Sequence, residues 1–179
     1  MNLEEKTLTQ TYQFKGRIIN LRTDTAELPN GAVADREVVE HPGGVCVAPL
    51  TDSGELLFVR QFRYPYGEVI LELPAGKRDR VGEDPLECGK RELLEETGAT
   101  AIDYRFLGRV YPSPGFCDEV IYLYLAEGLS FGNAQPDEDE FVEVERIPLQ
   151  RAVELVMNGG ITDAKTQIAI LKIAQLRKK

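Results

Sequence analysis

The sequence predicts an α/β (α+β) protein, a three-layer sandwich with a mixed β-sheet between helices and an antiparallel strand extension at the N-terminus. Two observations carry that expectation. Short apolar or alternating segments rich in β-branched residues recur from the N-terminus to FVEVERI, and between and after them lie stretches with helical period and recognisable caps. At 179 residues the chain can bury roughly 70% of the surface its unfolded form exposes, enough for a real core. The expected boundaries are residues 1–42 for the extension and 43–179 for the main domain.

In order along the chain, TQTYQF and GRIINLRTDTAELPNGAVADREVVEH alternate polar with apolar or β-branched residues, and Pro29-Asn30-Gly31 supplies the turn of a hairpin. GVCVAPL is an apolar run typical of a buried strand, Thr51 to Gly54 is a turn, and ELLFVRQF resumes strand character. EVILELPAG then leads to the clearest helix, Asp84 to Thr97. Asp84 stands at its N-cap, Pro85 at the first helical position, Glu87 completes a capping box, and Gly98 stops it. YRFLGRVY and EVIYLYLAEGL are strands, PDEDE is an acidic loop, FVEVERI is a strand, and a helix starts near Pro148. Thr162 caps a last helix through TDAKTQIAILKIAQLRK, whose basic final turn suits the helix dipole.

A net charge of -9 disfavours nonspecific binding to nucleic acid, and no Lys/Arg block interleaved with aromatics offsets it. An anionic substrate would therefore need a cation or local arginines. The N-terminus, MNLEEKTLTQ, is acidic where a signal peptide needs a basic start. No apolar stretch approaches the ~20 residues of a membrane span, so a cytoplasmic protein without membrane contact is expected. Cys46, Cys88 and Cys117 form no CxxC pair and fit reduced thiols with structural roles. His41 is the single histidine, which excludes three-histidine zinc sites.

On the Asp84 helix, Leu86, Lys90, Leu93 and Thr97 fall on one side, so the leucines define its expected core face, and Glu92, Glu95 and Glu96 form an adjoining stripe. Glu92 makes like-charged pairs with Glu95 and Glu96, each costing about 0.2–0.5 kcal/mol on an isolated helix. The negative end of the helix dipole adds to that cost. Arg91 offsets part of it, through Glu87 or Glu95. An acidic helix face is ordinarily just solvated. Here a strand end and the tight turn of LPAGK converge on it, and hard oxygen ligands in such a place suit Mg²⁺ together with substrate phosphates.

The stretch from Gly76 to Ala99, GKRDRVGEDPLECGKRELLEETGA, resembles the Nudix box, Gly-x5-Glu-x7-Arg-Glu-U-x-Glu-Glu-x-Gly-U, with U a bulky aliphatic. Arg91, Glu92, Leu93, Glu95, Glu96 and Gly98 match in register. Six residues rather than five separate Gly76 from Glu83, which places an extra residue in the Lys77 to Gly82 loop, and Ala99 is small for the last position. The resemblance implies an α/β/α sandwich with a mixed sheet over nearly the whole chain.

Beyond the box, LELPAGK, VRQFRYP and YPSPGFCDE, with Pro114 fifteen positions after Ala99, resemble the ADP-ribose pyrophosphatase branch of that family. The implied reaction is Mg²⁺-dependent hydrolysis of ADP-ribose to AMP and ribose 5-phosphate, with Mn²⁺ as a substitute metal. GDP-mannose and other nucleoside diphosphate sugars are the alternative substrates, and a non-catalytic ligand-binding module is the remaining reading. The resemblance further implies that Glu92, Glu96 and the carbonyl of Ala75 coordinate the metal, that Glu95 ligates a further ion, and that Arg91 orients the carboxylates. Glu140, with Glu138 as the alternative, matches a loop glutamate that serves as general base; PDEDE reads otherwise as a solvated acidic loop.

Arg60 and Arg63 are candidates for clamping phosphate or stacking on a base, or are ordinary surface arginines. Arg36, Glu72 and Gly115 are implied substrate contacts. The same branch implies a homodimer built through the N-terminal strands.

Overall fold

The computed structural model describes residues 2–78, 82–135 and 141–178, which form two compact units. Met1–Gly43 with Tyr111–Val120 make the first unit, and Gly44–Val110 with Ile121–Lys179 the second.

The first unit is an antiparallel meander of β1 (Lys6–Lys15), β2 (Asn20–Glu27) and β3 (Val33–Glu40), in the order β1-β2-β3. The expected Pro29-Asn30-Gly31 turn joins β2 to β3. Gly31 takes φ 82°, which costs a glycine nothing, and its N–H donates to the Leu28 carbonyl at 2.9 Å. The hairpin thus gains a third strand, β1, all of whose residues are exposed. On the other edge Val39 donates to the Phe116 carbonyl at 2.7 Å and accepts from Asp118 N–H at 3.1 Å, so the Tyr111–Val120 segment adds to the unit by main-chain pairing.

The second unit is the sandwich. β4 (Gly44–Pro49), β7 (Ala75–Lys77), β8 (Ala99–Val110) and β9 (Ile121–Phe131) form one sheet in the order β7-β4-β9-β8, with β4 and β9 parallel and the other pairs antiparallel. β5 (Glu55–Arg63), β6 (Glu68–Glu72) and β10 (Val142–Pro148) form an antiparallel sheet in the order β10-β5-β6. Alternation along the strands separates two apolar clusters. Cys46, Ala48, Leu56, Phe58, Leu123 and Leu125 face the helices α2 (Leu149–Met157) and α3 (Ala164–Arg177). Val45, Val47, Leu57 and Ala126 face α1 (Pro85–Thr97).

α1 forms where its caps predict. The Asp84 carboxylate accepts from the N–H groups of Leu86 and Glu87 at 2.9 and 3.2 Å, and Gly98 closes the helix at φ 69° with its N–H on the Leu94 carbonyl. The capping box is incomplete, because the Glu87 carboxylate takes the Lys90 ammonium at 2.7 Å instead of turning back to Asp84. The predicted core face is also rotated. Buried positions are Cys88, Gly89, Glu92, Leu93 and Glu96, whereas Leu86 is only half-buried and Leu94 is exposed. Gly89 is the reason: a Cβ there would lie 3.0 Å from Val45 Cγ2 and Val47 Cγ2, so the helix leans onto β4 along its small residues. At α3 the cap is Asp163 rather than the expected Thr162, with the Thr166 N–H on its Oδ2 at 2.9 Å.

Replacing Asp84 by Ala is expected to lower the stability of the chain by about 1 kcal/mol, seen as a reduced urea midpoint with unchanged slope.

Candidate active site

Leaning α1 onto β4 carries its acidic stripe inward. Glu92 and Glu96 are 6% and 2% exposed, values that glutamates reach only when they are paired or coordinated. Both meet the backbone of β7. Glu96 Oε2 accepts the Ala75 N–H at 3.1 Å, and the Glu92 carboxylate lies so close over Gly76 that a Cβ on that residue would sit 1.9 Å from its Cδ. Arg91 spans the stripe, with Nη1 at 2.9 Å from Glu92 and 2.8 Å from Glu95, and Nε at 3.7 Å from Glu83. Of its two expected partners on the helix, Glu95 is the one it takes. Burial works against its charge, yet the Glu92 and Glu95 carboxylates hold the guanidinium above its usual pKa.

The donors gathered here are carboxylates and backbone, hard oxygen ligands that fit a divalent cation of the Mg²⁺ type. Among the described residues no three acidic, thiol or imidazole groups converge on one point.

Beside the carboxylates stands a second charged group. Glu72, at the end of β6, is 1% exposed and accepts from Arg63 Nε and Nη2 at 2.6 and 3.0 Å. Lys165 Nζ, on the first turn of α3, also donates to Glu72, and to Asp163 Oδ1 at 2.9 Å. Burial pulls the lysine pKa down, but Asp163 and Glu72 hold it above the usual value, so it is charged. The expected site residues Arg63 and Glu72 are therefore one bidentate pair, whereas Lys165, Asp163 and Thr166 escaped the sequence reading. Their signal was at most TDAKT, which reads as a helix cap alone.

Arg60 and Arg63 do not form a joint clamp. Strand alternation puts them on opposite faces of β5: Arg63 follows Leu57 and Val59, while Arg60 follows Leu56 and Phe58 on the α2 face. There Arg60 pairs with Glu145 at 2.8 Å and lines a cleft of about 520 Å³ with Leu71, Ile147, Arg151 and Leu155, none of them from α1. Arg36 and Gly115 belong to the first unit, where Arg36 is held by Glu5 at 2.7 Å. Glu138 and Glu140 lie outside the described residues, as does part of the loop with the extra residue.

The NUDIX domain family matches residues 40–166. The chain belongs to the Nudix family. Residues 5–39 of this Nudix hydrolase match the nucleoside diphosphate sugar hydrolase N-terminal domain. It is 46% identical over 171 residues to the ADP-ribose pyrophosphatase of Bacillus subtilis (strain 168), spanning 94% of this chain and 92% of that one. It is 43% identical to the methanol dehydrogenase activator of Bacillus methanolicus, over 93% and 91% of the two chains. A solved structure of an ADP compounds hydrolase shares the fold, with a TM-score of 0.86 at 23% identity, over 99% of this chain and 97% of that chain.

Gly76→Ala is expected to displace the Glu92 carboxylate and to lower hydrolase turnover about 100-fold while the circular dichroism spectrum is retained. Alkylation provides a second check. Cys88 is buried and its pKa is pushed up to about 12, and Cys46 is buried and pushed up further, while Cys117 is partly accessible. Iodoacetamide at pH 8 should modify Cys117 alone in the folded protein, as read by mass spectrometry.

Proposed function

We propose that this Nudix hydrolase cleaves the pyrophosphate of ADP-ribose to AMP and ribose 5-phosphate with Mg²⁺, Mn²⁺ serving as a substitute. The observation that carries the reading is the pair of buried carboxylates, Glu92 and Glu96, set against the Ala75-Gly76 backbone with Arg63 close enough to feel the charge of Glu96. The identity of 46% to an ADP-ribose pyrophosphatase supports the choice of substrate.

A diphosphate brings negative charge to a place already lined by glutamates, so a cation must accompany it. Glu92, Glu96 and the carbonyl of Ala75 would hold Mg²⁺, and Glu95 a further ion. When bound there, the metal would supply charge neutralisation of the diphosphate and a lowered pKa for the attacking water. Arg91, which bridges Glu92 and Glu95, keeps both carboxylates turned toward that position. Arg63 has Nε and Nη2 occupied by Glu72, and among the described residues its Nη1 makes no hydrogen bond, which leaves that edge of the fork for a phosphate oxygen. Glu140, with Glu138 as the alternative, takes the proton of the water as general base by family resemblance, and Arg36 and Gly115 contact substrate on the same ground.

A homodimer through the N-terminal strands completes the proposal. Leu8, Tyr12, Phe14 and Val33 are exposed on this unit, an apolar surface suited to a second copy. Among the described residues no helix is long and apolar enough to cross a membrane, and three free thiols suit a reducing cytoplasm.

The test is hydrolysis of ADP-ribose, ADP-glucose, GDP-mannose, NADH and a nucleoside triphosphate with Mg²⁺, products read by nucleotide chromatography beside Glu96→Gln. ADP-ribose is expected to turn over fastest, to AMP and ribose 5-phosphate, and the mutant to lose about 100-fold or more in kcat. Faster turnover of GDP-mannose would refute the substrate assignment. Light scattering should give twice the chain mass, and a monomeric mass would refute the dimer.

A further inference from the structure

The four charges around Glu72 are arranged in a chain with a direction. Asp163 caps α3 with Oδ2 on the Thr166 N–H, and with Oδ1 it holds Lys165 Nζ at 2.9 Å. Lys165 passes that constraint to Glu72 Oε2, and Glu72 fixes the Arg63 fork through both carboxylate oxygens. A parallel tie runs through the backbone, where Thr166 Oγ1 accepts the Leu73 N–H at 2.9 Å, two residues before the Ala75 N–H that meets Glu96.

Drawing the buried Glu72 and the partly buried Lys165, Asp163 and Arg63 out of water costs desolvation that apolar side chains of the same volume would not, so the arrangement is a poor way to gain stability. It is a good way to gain orientation. A carboxylate held by one guanidinium can rotate with it as a unit, whereas a second donor on Oε2 from another element fixes the plane of the carboxylate and hence the plane of the fork. Lys165 comes from α3, its side chain is 12% exposed, and Arg63 comes from β5, so two separate elements grip Glu72.

We propose that Lys165 is a positioning residue for the pyrophosphate hydrolysis: without touching substrate, it locks the Glu72 carboxylate and so aims the free edge of the Arg63 guanidinium at the diphosphate. This rests on the function proposed above.

The experiment compares wild type with Lys165→Met, Lys165→Arg, Arg63→Ala and the Lys165→Met/Arg63→Ala pair. The readouts are kcat and KM for ADP-ribose with Mg²⁺, calorimetric binding of ADP, and a crystal structure of Lys165→Met. KM is expected to rise about 10-fold in Lys165→Met with kcat within about 2-fold, and ADP binding to weaken in step. Arg63→Ala should do the same and the pair no more than either alone, while Lys165→Arg recovers most of the loss. A merely structural lysine would instead lower stability and active fraction, leave KM in place, and add its effect to that of Arg63→Ala. Either that result, or an Arg63–Glu72 pair that keeps its wild-type plane in the Lys165→Met crystal, overturns the proposal. If Lys165→Met does not fold, Lys165→Gln with Asp163→Asn keeps the net charge and the cap, and is judged by the same readouts. Should wild type hydrolyse no nucleoside diphosphate sugar, the proposed function falls, and the position of Arg63 in the crystal still decides the role of Lys165.

Discussion

The second unit depends on how closely α1 can approach the strands beneath it. Gly89 lets the helix rest on Val45 and Val47, and Gly76 leaves room for the Glu92 carboxylate over the backbone of β7. With side chains at either position the helix would stand off, and its acidic stripe would be the solvated face that glutamates usually make. Close approach instead drives Glu92 and Glu96 out of water, which is unfavourable on its own and leaves them needing partners. Arg91 and the Ala75 N–H are among the partners they find.

What could be read from the chain was local. Asp84, Pro85 and Gly98 mark α1 because caps are satisfied within a few residues, and the structure places them where those rules predict. The core face of α1 was legible only in part: Leu93 is buried as expected, but Leu86 is only half-buried, and the closest approach is made at Gly89, whose neighbours on β4 lie some forty positions earlier. Thr162, expected to cap α3, gives way to its neighbour Asp163, a residue of at least equal capping propensity. The choice is settled by Thr166, which Asp163 caps, and by Lys165, which engages the same carboxylate.

Arg60 and Arg63 teach the opposite lesson. Residues three apart on a strand point to opposite faces, so their separation was legible from the period alone, and attention to the RQFR sequence as a cluster hid it. The Lys165–Glu72 contact was not legible by any local rule, since 93 positions separate the partners. Charged pairs of that kind emerge only from topology: α3 has to start beside the end of β6 before a lysine on its first turn has an acid to meet.

The pairing of β3 with the Tyr111–Val120 segment has a consequence for how this architecture can be taken apart. The first unit is assembled from two stretches of chain, and the polypeptide passes between the units three times, after Gly43, Val110 and Val120. An N-terminal extension joined by a single linker could be removed or exchanged like a fused tag. Here excision at Gly43 would strip the Phe116 carbonyl and the Asp118 N–H of their partners on Val39, leaving two main-chain groups unpaired in the middle of the remaining sequence. The two units are thus bound to be inherited together, because the first is assembled from stretches of chain on either side of Gly44–Val110.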